Sequence, residues 1–144
     1  MDYQAEGAQA HDLSGVLELL GRADLPVEGV AEHFRNFLVV RDDASVVGVA
    51  GLEPCGEDGL LRSVAVEPAY RGSGVGRALV DGVLELARRL ELRSLYLLTT
   101  TAREYFQRHG FSDSPRDEAP SAVRDTWEFR SGCPSSSAFM RRSL

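Results

Sequence analysis

Lysine is missing altogether from this 144-residue chain, whose 16 basic residues are all arginine. A P-loop needs a lysine after its last glycine, so nucleotide chemistry of that kind is excluded. Cysteine is scarce, and the two present, Cys55 and Cys133, match neither a zinc spacing nor a CxxC redox pair. They read as thiols of a reducing compartment. Long apolar runs are absent: nowhere do about 18 apolar residues follow one another, and the amino terminus lacks a basic n-region. The expectation is a cytoplasmic protein with no membrane partner. Positive charge is also in deficit, with a formal net charge of −6 and a pI of about 5.1, which argues against a nucleic-acid partner. The histidines His11, His33 and His109 are dispersed without metal spacing, so no metal is expected. The length suits one domain over residues 1–144.

What the chain does have is a glycine-rich stretch, Arg71-Gly72-Ser73-Gly74-Val75-Gly76-Arg77, between an apolar strand and a periodic helix. Alternating glycines open backbone conformations closed to other residues, so that successive N–H groups converge on one anion. The following helix adds the positive end of its dipole. Arg71 and Arg77 bracket the loop with forks suited to phosphate oxygens. A Rossmann fingerprint reads Gly-x-Gly-x-x-Gly in a first strand–helix unit; this loop has a different spacing and lies in mid-chain.

Around this stretch the elements follow from periodicity. Leu13, Val16, Leu17 and Leu20 mark one helical face, with Asp12 as cap and Gly21 just past the end. Val27, Val30, Ala31 and Phe34 predict a second short helix opened by Pro26. A weak first strand is expected within Asp2 to Ala8. Phe37 to Arg41 and Val46 to Glu53 predict a hairpin, and a turn from Pro54 to Gly59 feeds the strand Leu60 to Glu67. After the loop, Val75, Ala78, Leu79, Val83, Leu86 and Leu90 line the most periodic helix of the chain. Ser94 to Leu98 predicts an interior strand. Thr101 and Glu104 have capping-box spacing for a helix that Gly110 stops. Ser112 to Ala119 reads as a surface loop, Pro120 opens a short helix through Trp127, and Ala138 to Leu144 closes as a strand. The order is α+β with a mixed sheet.

Arg71-x-x-Gly74-x-Gly76, directly after Val64-Ala65-Val66, resembles the acetyl-CoA pyrophosphate loop of the GNAT acetyltransferase superfamily. Tyr96-Leu97-Leu98-Thr99-Thr100-Thr101, with Tyr105-Phe106 and Gly110-Phe111, is similar to the acetyltransferase domain of N-acetylglutamate synthases. Ala119 to Arg124, Glu128-Phe129-Arg130 and Cys133 to Ser136 resemble the small arsenic-resistance N-acetyltransferases. The resemblance implies a GNAT fold, a mixed central sheet flanked by helices, with acetyl-CoA as co-substrate and a small, anionic, amino-acid-like amine as acceptor. It further implies that the backbone of Val64, Ala65 and Val66 meets the pantetheine arm. Arg71, Gly72, Ser73, Gly74, Val75, Gly76 and Arg77 then hold the pyrophosphate, Thr99 and Phe106 lie beside the cofactor, and strands Leu60 to Glu67 and Ser94 to Leu98 splay to admit it.

Two usual residues are missing. Phe106 stands where many such enzymes place a general-acid tyrosine, and Leu60 where many place a general-base glutamate. Tyr105 is the nearest hydroxyl, about 100° round the helix from Phe106, with Thr99, Thr100 and solvent as rivals. Glu53, at a strand end, is the candidate base or ammonium anchor. Alternation puts Arg62 on one face with Val64 and Val66, where a permanent cation suits an anionic acceptor. Arg130 matches, through the resemblance, an arginine that holds substrate carboxylate. Trp127 and Phe129 are candidates to line the pocket. A small-molecule N-acetyltransferase, monomeric or homodimeric, thus competes with two other functions. One is a protein acetyltransferase, needing an open groove that the carboxy-terminal segment is placed to close. The other is an acyl-CoA-binding module without turnover, favoured by the missing tyrosine.

Overall fold

The computed structural model describes residues 3–132 and 136–144, so Cys133 lies outside the described residues. Three consecutive strands, β2 (Phe37–Asp42), β3 (Ser45–Cys55) and β4 (Asp58–Val66), form antiparallel hairpins at the centre of the sheet. A short β1 (Glu6–Gly7) pairs with β2 on one side. On the other lie β5 (Ser94–Thr99), parallel to β4, then β7 (Ala138–Ser143) and β6 (Ser112–Asp113). The order is β1-β2-β3-β4-β5-β7-β6, a mixed seven-stranded sheet among the described residues.

Helices cover both faces, as the two-sided apolar character of β2 to β5 requires. Helix α1 (Leu13–Arg22) lays Val16, Leu19 and Leu20 on Phe37, Val39 and Val49. Helix α2 (Val75–Arg89) lays Val75, Leu79, Val80, Val83 and Ala87 on Val40, Ala50, Leu52, Leu61 and Leu95 of the opposite face. Phe106 of α3 (Arg103–Arg108) joins this second cluster. A third cluster, Cys55, Leu60, Tyr96, Ala119, Val123 and Phe139, lies under α4 (Ser121–Arg124). Each fully buried Leu, Val or Phe contributes about 1.5–3 kcal/mol, so these clusters drive the fold. No helix among the described residues is long and apolar enough to cross a membrane.

Helices α1, α2 and α3 end alike, with a left-handed residue at C′: Asp24 (φ 56°), Glu91 (φ 59°) and Gly110 (φ 87°). In each the following N–H reaches five residues back: Leu25 to the Leu20 carbonyl, Leu92 to Ala87 and Phe111 to Phe106. This Schellman arrangement satisfies the last carbonyls, and only α3 uses the glycine that advertises it in sequence. Gly21, expected past the end of α1, lies inside it.

Other expectations need correction. The helix expected after Pro26 is a series of turns ending in a 3₁₀ turn, Phe34–Asn36, because Gly29 takes φ 81° and interrupts any continuous helix. Its stripe still anchors the segment, since Val30 is fully buried under α1. Strands β3 and β4 run on through Pro54 and Gly59, shrinking that turn to Gly56 and Glu57. The capping box at Thr101 does not form: α3 begins at Arg103, and Thr99 Oγ1 accepts the Ala102 N–H at 3.0 Å instead. Ser112 to Ala119 contains β6 and a 3₁₀ turn, Arg116–Glu118. Beyond α4 the chain makes a π-helical turn, Glu128–Gly132.

Candidate active site

Strand β4 organises the site. It pairs with β5 only at Gly59 with Leu95 and at Leu60 with Tyr96, after which the two strands part as expected. Among the described residues the β4 edge toward β5 therefore has no strand partner from Arg62 to Val66, which leaves backbone groups for an extended guest. Between Arg62 and Ala65 the strand also bulges: Gly51 pairs with Arg62 and Val49 with Ala65, so that Ser63 and Val64 together oppose Ala50 alone. Ser63 absorbs the extra residue in a left-handed conformation, φ 57°.

The bulge overturns the expected alternation. Leu61, Val64 and Val66 pack toward α2, while Ala65 packs toward α1. Arg62 points away from Val64 and Val66, to the α1 side, where it meets Glu53. A one-residue insertion reverses facing in a period of two.

At the end of β4 the loop takes the form a cradle needs. Gly72 (φ 77°) and Gly74 (φ 98°) are left-handed, and Gly74 is the N-cap of α2. Neither glycine's N–H donates to a backbone carbonyl among the described residues. Adjacent N–H groups of the first turn of α2 have no intrahelical acceptor. Space around both glycines is open: a Cβ built on either meets nothing within 4 Å. Arg71 and Arg77 are exposed beside this concentration of donors, and Arg77 lies 3.9 Å from Asp81. Tyr70 pins the loop's start by donating to the Asp42 carboxylate, and Ser73 Oγ donates to the Tyr70 carbonyl. Arg77 also lines an open polar trough of about 840 Å³ with Arg108, His109, Arg141 and Arg142, alongside Asp81 and Asp113.

Phe106 is buried in the core, edge-to-face with Phe111 at 5.9 Å between ring centroids. Tyr105 reaches the other way: its hydroxyl would lie only 2.5 Å from a Cβ on Gly76, so it caps the side of the first turn of α2. Burial raises its pKa and keeps the phenol protonated. Gly76 is thus required by a close neighbour rather than by its own backbone.

Arg62, Glu53, His33 and Glu128 come together from four separate segments. The Arg62 side chain is 1% exposed, with Nη1 3.1 Å from Glu53 Oε1 and Nη2 3.1 Å from Glu128 Oε1. Nε donates to Ser63 Oγ at 3.1 Å and Nη2 to the Glu28 carbonyl at 2.5 Å. The second Glu53 oxygen lies 3.8 Å from His33 Nε2. Arg130 is exposed, two positions beyond Glu128 and so turned roughly away from it. Trp127 is 38% exposed, and Phe129 packs edge-on to Phe139. Sequence reasoning missed His33 and Glu128 as members of this cluster. The available signal was the pair of charges, Glu53 and Arg62, inside otherwise apolar strands.

Comparison with known proteins agrees with this geometry. The model of the acetyltransferase (GNAT) domain matches residues 33–113, more than half of the chain. The amino-acid acetyltransferase of Enterobacter sp. (strain 638) is 29% identical over 136 residues, covering 88% of this chain and 31% of that protein. The chain thus spans about a third of the length of such curated relatives. The N-acetylglutamate synthase of Neisseria gonorrhoeae, complexed with coenzyme A and N-acetyl-glutamate, superposes with a TM-score of 0.85 at 22% identity, over 100% of this chain and 35% of that one. Rv2747 of Mycobacterium tuberculosis, in complex with CoA and NLQ, superposes with a TM-score of 0.84 at 26% identity, covering 97% and 98% of the two chains. With its splayed β4, its glycine cradle and this family match, the chain belongs to the GNAT acetyltransferase domain family.

Proposed function

We propose that the protein transfers an acetyl group from acetyl-CoA to the amino group of a small amino-acid-like molecule. The observation that carries this reading is the unpartnered β4 edge leading straight into a left-handed glycine cradle at the N-terminus of α2. The edge at Val64, Ala65 and Val66 suits the amide-bearing arm of the cofactor, because an extended chain of amides pairs with a strand edge. Gly72, Gly74 and the first turn of α2 suit its diphosphate, with Arg71 and Arg77 supplying charge. When bound, acetyl-CoA supplies an acetyl group activated as a thioester. The amino-acid acceptor is supported by the named relatives, amino-acid acetyltransferases, and by the cluster of charged side chains that Arg62, Glu53 and Glu128 form on the α1 side.

Thiol release from acetyl-CoA in the presence of an amine panel tests the reading. Turnover is expected with α-amino acids, and Gly74→Val is expected to abolish acetyl-CoA binding in a folded protein. That substitution meets no neighbour, so its cost is the left-handed backbone a β-branched residue resists. Micromolar acetyl-CoA binding with no turnover on any amine would favour a binding module instead. Unchanged calorimetric affinity in Gly74→Val would remove the cradle assignment.

A further inference from the structure

Every nitrogen of the Arg62 guanidinium is engaged inside the protein, by Ser63, Glu53, Glu128 and the Glu28 carbonyl. A carboxylate on the acceptor would have to displace these partners from a side chain that is 1% exposed. Glu53 is arranged differently. Arg62 holds its Oε1, and its Oε2 faces His33, whose side chain is 27% exposed and reaches the surface. The order from inside to outside is therefore a fixed cation, a carboxylate oriented by it, and an imidazole open to water.

Resting on the acetyl-transfer reading above, we propose that Glu53 takes the proton that the acceptor's ammonium must lose and that His33 passes it to solvent. Arg62 and Glu128 act as positioning residues. Attack on a thioester needs a nitrogen lone pair, and an α-amino group with a pKa of about 8 or above is at most about a tenth neutral at pH 7. In the step, an N–H bond of the ammonium breaks with its electron pair left on nitrogen, and an O–H bond forms on Glu53. That O–H bond then breaks as the proton moves to His33 Nε2, and water removes it. The 3.8 Å separation exceeds the upper end of the hydrogen-bond range by about 0.6 Å, so the transfer needs the half-buried imidazole to rotate toward Glu53. Among the described residues, Arg62 from β4 and His33 from the segment before β2 face Glu53, and Glu128 from the π-helical turn shares Arg62 with it. Leu60, where β4 leaves β5, is apolar and buried, so the proton needs another route.

The test compares wild type, His33→Gln and Glu53→Gln with acceptors of graded basicity. Glu53→Gln is expected to lose about 100-fold or more in kcat/KM with a basic α-amino acid. It should lose little with a hydrazide or hydroxylamine acceptor already neutral at pH 7. His33→Gln is expected to lose roughly tenfold in dilute non-imidazole buffer and to recover when 2-methylimidazole is added, with acetyl-CoA affinity and melting temperature unchanged. Losses independent of acceptor basicity in Glu53→Gln, or wild-type rates without any imidazole effect in His33→Gln, overturn the relay while leaving acetyl transfer intact. No turnover by the wild type on any amine removes the acetyl-transfer reading, and the relay with it.

Discussion

Replacing Arg62 by alanine separates a structural cation from a substrate-binding one. The guanidinium is buried between Glu53 and Glu128, each 3.1 Å away, and its removal takes from two largely buried carboxylates the cation that both contact. Breaking a buried ion pair from one side costs about 3–5 kcal/mol, because the remaining charge keeps its desolvation penalty and loses its partner. The hydrogen bonds to Ser63 and the Glu28 carbonyl go as well. Against a total stability of about 5–15 kcal/mol this is a large fraction. At ~3–4 °C per kcal/mol for a domain of this size, the melting temperature should fall by roughly 10–20 °C at pH 7. The deficit should narrow at acidic pH, where protonated carboxyls need no counter-charge. Arg62→Ala combined with Glu128→Gln should recover part of it, since one of the two carboxylates that contacted the guanidinium is then neutral. Thermal unfolding followed by circular dichroism, with acetyl-CoA titration as a check on the fold, measures all three effects. A fall of less than about 2 °C, accompanied by a raised KM for acidic acceptors, would refute this reasoning and return Arg62 to the acceptor's carboxylate.

Three further outcomes follow from particular contacts. Gly76→Ala should weaken acetyl-CoA binding by pressing its methyl on the Tyr105 hydroxyl, an overpacking cost of about 1–3 kcal/mol. Adding Tyr105→Phe should relieve it, because the nearest ring carbon then stands 3.5 Å away; equal affinities in the single and double variants count against that contact. Asp12, 3% exposed, is held below the ordinary carboxylate value of 3.8 chiefly by its hydrogen bond from Arg41. A carboxyl with a depressed folded pKa stabilises above the unfolded value and loses that contribution as pH falls through the folded one. The melting-temperature gap between wild type and Asp12→Asn should therefore be constant near neutrality and close only below about pH 3.8; a gap that closes near pH 6 contradicts the assignment. Burial pushes the Cys55 thiol up to about 12, so in a Cys133→Ser protein iodoacetamide at pH 8 should label Cys55 only on unfolding; rapid labelling of the native protein would show the thiol to be accessible.

Much of the fold was written locally. The 3.6-residue stripe of α2, the β-branched runs of β2 to β4 and the apolar run of β5 each choose a conformation from their own spacing, and their order then restricts the sheet. The left-handed turn of the glycine loop was legible for the same reason, since positive φ at Gly72 and Gly74 is a property of those residues themselves. What only the tertiary structure decided are relations between distant residues. Ser63 carries no sequence mark of a bulge, yet its left-handed backbone turns Arg62 from the α2 face to the α1 face. Gly29 interrupts a helix that the stripe of Val27, Val30 and Phe34 favoured, because one φ of 81° outweighs a short apolar period. The pairing of Arg62 with Glu53 and Glu128 likewise joins three segments that no spacing connects. The pairing of buried charges is paid for by desolvation and fixed by where segments meet, and neither is a function of sequence spacing.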